Sequence, residues 1–117
     1  MLQVRSGTKA IDTITRTELK AALDGNRELT ILEALPEKYY RHGHLPSARL
    51  FPHDQARELA PVLLLDKHAR IVVYCASSTC KNSQQAAEIL TDLGYANVRV
   101  YVEGKADWQA AGFALEG

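Results

Sequence analysis

The run Ile71-Val-Val-Tyr-Cys75 constrains the chain more than any other segment. It is apolar along its length, rich in β-branched residues, and bounded by polar sequence. A strand that is apolar on both faces must be covered on both faces, which favours a parallel sheet between layers of helices over an antiparallel sheet with a wet side. The flanking segments fit that arrangement. Ile14 is expected to end a short strand, and Thr15-Arg-Thr17-Glu18 supplies capping residues for a helix that carries Leu19, Ala22 and Leu23 and stops at Gly25. Residues 29–34 read as a buried strand. Residues 36–52 form a long connection, with a short strand expected at 48–51. Asp54 is placed to cap a helix through Leu59, and Pro61 to open a second helical turn with Val62 and Leu65. Residues 83–93 carry Ala86, Ile89, Leu90 and Leu93 at helical spacing, and Gly94 sits where a left-handed C-cap belongs. A strand over 97–102 and a short helix around 107–111, preceded by Gly104 and ended by Gly112, complete the alternation. The expected fold is α/β: a parallel central sheet of about five strands with helices on both faces.

At 117 residues the chain has the length of one domain. Residues 1–10 are polar and read as an extended lead-in; residues 11–117 form the domain. Hydrophobic residues at 46% and charged residues at 24% are ordinary globular usage, which excludes disorder, collagen and coiled coil. Fourteen basic residues balance fourteen acidic ones, so no net field favours nucleic acid or an anionic membrane, and neither is expected as a partner. The N-terminal residues lack the apolar core of a signal peptide, and the longest apolar runs, 62–65 and 71–76, are too short to span a bilayer. Two cysteines are too few for a disulfide framework, so a reducing, cytoplasmic setting is expected.

Those two cysteines share one segment, Tyr74-Cys75-Ala76-Ser77-Ser78-Thr79-Cys80-Lys81-Asn82-Ser83. A cysteine ends a strand, a small polar loop follows, and a helix begins. In open parallel sheets ligands bind at the carboxyl ends of strands. Backbone N–H groups of such a loop, with a helix N-terminus behind them, converge on one centre, hold an anion there and lower the pKa of a thiol facing them. Ser77, Ser78 and Thr79 add hydroxyls, and Lys81 adds a cation. This is equipment for a thiolate nucleophile, Cys75, acting on an anionic substrate. Cys80, five positions on, is within the reach of a curled loop and is a candidate resolving thiol.

Three segments in order resemble the single-domain rhodaneses, which are sulfurtransferases: Tyr40-Arg-His-Gly43-His44-Leu-Pro46-Ser-Ala48; the strand ending in Cys75 with its loop and Ala86-Ala87-Glu-Ile-Leu90; and Gly94-Tyr-Ala-Asn-Val98 followed by Gly104-Lys-Ala-Asp-Trp108-Gln-Ala-Ala-Gly112. The resemblance spans residue 14 to the C-terminus. It implies that Cys75 takes a sulfane sulfur from a donor such as thiosulfate, becomes a persulfide cradled by loop residues Ala76 to Lys81, and yields the sulfur to a thiol, to cyanide or to a sulfur-accepting protein. It implies neither a cofactor nor a metal ion. Three departures stand out. The loop is Cys-x5-Lys where the family has Cys-x4-Arg, a length that resembles the rhodanese-related phosphatases and arsenate reductases. Lysine cannot make the bidentate phosphate fork that arginine makes. Cys80 is an additional thiol, which also leaves a redox-sensing module as an alternative. The usual Asp-x-Arg after the second strand is Glu33-Ala34-Leu35, so a carboxylate is kept and the arginine is gone.

His42 and His44 flank Gly43, but His44 matches a structural histidine of the family, and Cys-x4-Cys is not a usual zinc spacing. Arg41 and Arg49 read as solvated charges, Trp108 as core or pocket wall, Tyr39 and Tyr40 as contributors to that wall, and His53 and His68 as surface residues.

Overall fold

The computed structural model describes residues 11–25 and 28–117. The expected lead-in over residues 1–10 lies outside the described residues. The elements are β1 (Asp12–Thr13), α1 (Arg16–Asp24), β2 (Thr30–Glu33), α2 (Glu37–Arg41), β3 (Arg49–Leu50), α3 (Ala56–Leu63), β4 (Arg70–Tyr74), α4 (Asn82–Asp92), β5 (Asn97–Tyr101) and α5 (Gly104–Ala110). A turn of 3-10 helix, His53–Gln55, leads into α3.

The strands form one five-stranded sheet in the order β1-β5-β4-β2-β3, and every pairing is parallel. The apolar run at 71–75 therefore lies in the centre, as its two-faced hydrophobicity requires. Its alternate side chains divide the core. Ile71 and Val73 pack with Leu32, Val98 and Val100 against Ala56, Ala60, Ala86, Ala87 and Leu90 of α3 and α4. Val72 and Tyr74 pack with Ile31 and Tyr101 against Leu19 of α1 and Trp108 of α5. Among the described residues no helix is long and apolar enough to cross a membrane.

The first helix starts on a full capping box: the Thr15 hydroxyl accepts from the Glu18 N–H, and Glu18 accepts from the Thr15 N–H in return. Thr15 caps it because Ile14 is still tied to the sheet, donating its N–H to the Val100 carbonyl at 3.0 Å.

Three local expectations are corrected. The connection 36–52 contains α2, a helix of five residues whose Arg41–Glu37 ion pair at 2.6 Å spans one turn; a segment this short carries no legible apolar period. Pro61 does not open a second helix but lies inside α3. Proline there forfeits the backbone bond to the Arg57 carbonyl, and the C-terminal end of the helix is held separately, with the Tyr95 hydroxyl within hydrogen-bond distance of the Ala60 and Leu64 carbonyls. The last helix begins at Gly104 rather than near residue 107, because its first amides find acceptors outside the helix, in the loop after β4.

Candidate active site

Cys75 follows the last residue of β4 and continues the alternation of Ile71 and Val73, so its side chain belongs to the α3–α4 side of the sheet. It is 1% exposed. Its thiol donates at 3.4 Å to the hydroxyl of Ser83, a buried residue in the first turn of α4, and lies 3.5 Å from the carbonyl oxygen of Cys80. The loop between them is folded back on itself. The Cys80 N–H donates to the Ser77 carbonyl at 3.1 Å, and the Ser77 and Thr79 hydroxyls are 3.1 Å apart. Cys80 is half-buried, and both thiols are free. Ala76, Ser78, Thr79 and Lys81 are exposed along the loop rim, and Ser77 is half-buried. Lys81 is the residue at the N-cap of α4, and its carbonyl accepts the Gln85 N–H.

The expected lowering of the Cys75 pKa is corrected. Burial pushes the thiol up, proximity to Cys80 adds to the rise, and the Ser83 hydroxyl and N–H, which favour the thiolate, offset only part of it. A helix-start donor facing the thiol was legible in the sequence, and the Ser83 N–H supplies it; the depth at which the loop buries the sulfur was not.

The loop is clamped from the far side by α5. The Lys105 N–H donates to the Cys75 carbonyl at 2.9 Å and the Ala106 N–H to the Ala76 carbonyl at 2.8 Å. Two amides that a helix start would otherwise leave unpaired are thereby used to fix the backbone of Cys75 and Ala76. Gly104 makes the approach possible. Its φ is +71°, and a Cβ there would stand 2.5 Å from the Cys75 carbonyl oxygen and 2.9 Å from the Ser77 nitrogen.

The Lys105 side chain then reaches inward to Glu33, which is 0% exposed at the end of β2. Its ammonium lies 3.0 Å from one carboxylate oxygen and 3.1 Å from the other, and donates to the Tyr39 carbonyl at 3.0 Å. The Tyr74 hydroxyl donates to Glu33 at 2.6 Å and accepts the Leu45 N–H at 3.0 Å. Burial and the adjacent Glu33 carboxylate push the Tyr74 phenol far above its ordinary range, so it stays a donor. Lys105 thus supplies, from α5, the cation that the Glu33 carboxylate requires. Ser83, Gly104 and Lys105 were not singled out as site residues in the sequence. For Gly104 and Lys105 the available signal was the Glu103-Gly104-Lys105 run one residue after β5, at the same edge of the sheet as Cys75.

The remaining candidates are taken up elsewhere. His44 stacks on Tyr40 at 3.9 Å between ring centroids, with Nδ1 3.0 Å from the Tyr40 carbonyl, and the His42 Nδ1 lies 2.7 Å from the Lys38 carbonyl. Arg41 pairs with Glu37, and Arg49 donates to the Leu63 carbonyl at 3.4 Å. Trp108 is buried and donates to the Ala114 carbonyl at 3.1 Å, so it is core. Tyr40 donates its hydroxyl to the Ala48 carbonyl at 2.7 Å.

The profile of the Rhodanese-like domain family matches residues 15–111. A rhodanese-like domain from Anabaena sp., solved by NMR in solution, is 28% identical with a TM-score of 0.82, covering 92% of this chain and 80% of that one. A rhodanese from E. coli, solved with anions, is 26% identical with a TM-score of 0.60, covering 68% of this chain and 89% of that one. An HTH-type transcriptional regulator of Mycobacterium tuberculosis is 30% identical over 105 residues, 90% of this chain; the chain spans 45% of that relative's length.

Two predictions follow from this geometry. Lys105→Met leaves the Glu33 carboxylate buried without its cation and should cost about 3–5 kcal/mol of stability in urea unfolding. Adding Glu33→Gln should recover much of that loss; a double variant no more stable than Lys105→Met would show that the ion pair is not what holds this edge. For reactivity, the sign follows from the raised pKa: at neutral pH the thiolate fraction of Cys75 is below that of an ordinary thiol and grows as pH rises. Ser83→Ala removes a stabiliser of the thiolate, so the pH profile for alkylation of Cys75, followed by peptide mass, should move to higher pH. The rate at neutral pH should fall about tenfold, the equivalent of one hydrogen bond to a charged group. An unmoved profile would mean that Ser83 only fills space.

Proposed function

The chain belongs to the rhodanese-like domain family, and from that premise we propose that it is a sulfurtransferase in which Cys75 carries a sulfane sulfur between a small anionic donor and a thiophilic acceptor. The observation that carries the reading is the Cys75 thiol itself. It sits at the carboxyl end of the central strand, in contact with the Ser83 hydroxyl at the start of α4, under a loop fixed by α5.

With thiosulfate as donor, the Cys75 thiolate attacks the outer sulfur. The S–S bond of thiosulfate breaks, and sulfite leaves with the electron pair. The product is a persulfide whose terminal sulfur is negative at neutral pH. The Ser83 hydroxyl and N–H, the N-terminus of α4 and the loop residues Ala76 to Lys81 are the groups available to hold that charge. Lys81 at the rim draws the anion in. An acceptor thiol, cyanide or the thiol of a sulfur-accepting protein then attacks the terminal sulfur and restores Cys75. Burial of the inner sulfur suits this chemistry, because it leaves the terminal sulfur as the reachable electrophile. No cofactor enters the scheme, and a reducing cytoplasm would keep both thiols ready. Phosphate-ester chemistry on the longer loop is disfavoured, since Lys81 supplies a point charge and not a bidentate fork.

Mixing the reduced protein with thiosulfate should give a stoichiometric burst of sulfite. Cys75→Ser should abolish the burst while leaving the circular dichroism spectrum unchanged. A full burst from Cys75→Ser would contradict the assignment.

A further inference from the structure

We propose that Cys80 is the resolving thiol of the Cys75 persulfide: where no external acceptor takes the sulfur first, it closes a disulfide within the loop and expels the sulfane sulfur as hydrosulfide, and a dithiol reductant then resets the pair. This step rests on the reading of Cys75 as the sulfur carrier.

The geometry brings the two residues together before any sulfur is loaded. The Cys80 N–H bond to the Ser77 carbonyl turns the chain back toward β4, and the Cys80 carbonyl oxygen ends 3.5 Å from the Cys75 sulfur. That oxygen and the Cys80 sulfur are borne on the same residue. Closing the bond needs the two Cα atoms at about 4.4–6.8 Å, and a loop whose Cys80 carbonyl already touches the Cys75 sulfur is folded in the sense that closure requires. Exposure differs in the useful direction. Cys75 is 1% exposed, whereas Cys80 is half-buried on the loop rim. A bulky external thiol has poor access to the inner sulfur of a Cys75 persulfide, while Cys80 reaches it from within the fold.

The step balances. The Cys80 thiol attacks the inner sulfur, Sγ of Cys75. A bond forms between the two cysteine sulfurs, and the bond from Sγ to the terminal sulfur breaks. The terminal sulfur leaves with the electron pair and with the Cys80 proton, as hydrosulfide. An external dithiol then returns two electrons and two protons to the disulfide and is itself oxidised. Summed with loading, thiosulfate and a dithiol become sulfite, sulfide and the oxidised dithiol. Transfer of the terminal sulfur to Cys80 is the competing course and would leave the added sulfur on the protein; hydrosulfide, the conjugate base of a stronger acid than an ordinary thiol, is the better leaving group of the two.

The test follows sulfite, sulfide and whole-protein mass after thiosulfate is added to the reduced chain, in wild type and in Cys80→Ser, without added reductant. Wild type should release sulfite and sulfide in equal amounts, lose two hydrogens in mass, and show a Cys75–Cys80 crosslink that dithiothreitol reverses. Cys80→Ser should release sulfite without sulfide and retain one added sulfur atom on Cys75. Wild type that releases sulfite and keeps the added sulfur stably on Cys75, or carries it on Cys80 with no crosslink, would overturn the resolving role alone. Absence of sulfite from both proteins would overturn the carrier reading and this step with it.

Discussion

The carboxylate of Glu33, with 0% exposure, sets the terms for the carboxyl edge of the sheet. A buried charge needs a cation and further donors, and removing one partner is costly because it strands the other. Glu33 draws on four parts of the chain to meet that need. Its own strand β2 pairs with β4 so that Glu33 lies beside Tyr74, whose hydroxyl donates to it at 2.6 Å. Tyr74 in turn holds the Leu45 amide of the segment after α2. Lys105 supplies the cation from α5 and ties the Tyr39 carbonyl to the same point. The start of α5 is thus fixed by an ionic contact on one side, and its amides are aimed at the carbonyls of Cys75 and Ala76 on the other. Asp107 pins the same helix again, accepting from Tyr101 at 2.6 Å and Arg16 at 2.8 Å.

What this clamp delivers is a Cys75 of fixed position, the nucleophile of the proposed reaction. Its backbone is held by α5 on the side opposite α4, and its sulfur touches the first turn of α4. Burial raises the thiol pKa, which lowers the fraction present as the reactive thiolate. A persulfide suffers less from the same environment, because its charge is carried one bond farther out, toward the loop groups and Lys81.

The central strand, the nucleophile's place at its end, the helix that follows and the capping box at Thr15 and Glu18 were all legible in the sequence, because each rests on local patterning. The two-faced apolar run at 71–75 required a parallel sheet, and the sheet required a site at its carboxyl edge. What escaped was long-range. The carboxylate at Glu33 was visible, but its cation, Lys105, lies 72 positions away and depends on how α5 folds over the edge. Gly104 read as a helix boundary, whereas its φ of +71° and the 2.5 Å that a Cβ would leave to the Cys75 carbonyl make it the close-approach point of the site. Ser83 read as one more polar residue of a helix start. The sign of the Cys75 shift was misjudged because hydrogen-bond donors can be read from a loop sequence, while burial depth is set by the neighbours that close over it.

The most direct measurement is a crystal structure of the Cys80→Ser protein after exposure to thiosulfate, since that variant cannot resolve a persulfide. The account predicts electron density for one additional sulfur atom bonded to the Cys75 sulfur, held by the Ser83 hydroxyl and the loop, with Lys105 still paired to Glu33. Intact thiosulfate resting beside Lys81, with an unmodified Cys75 beneath it, would contradict the assignment of Cys75 as the sulfur carrier.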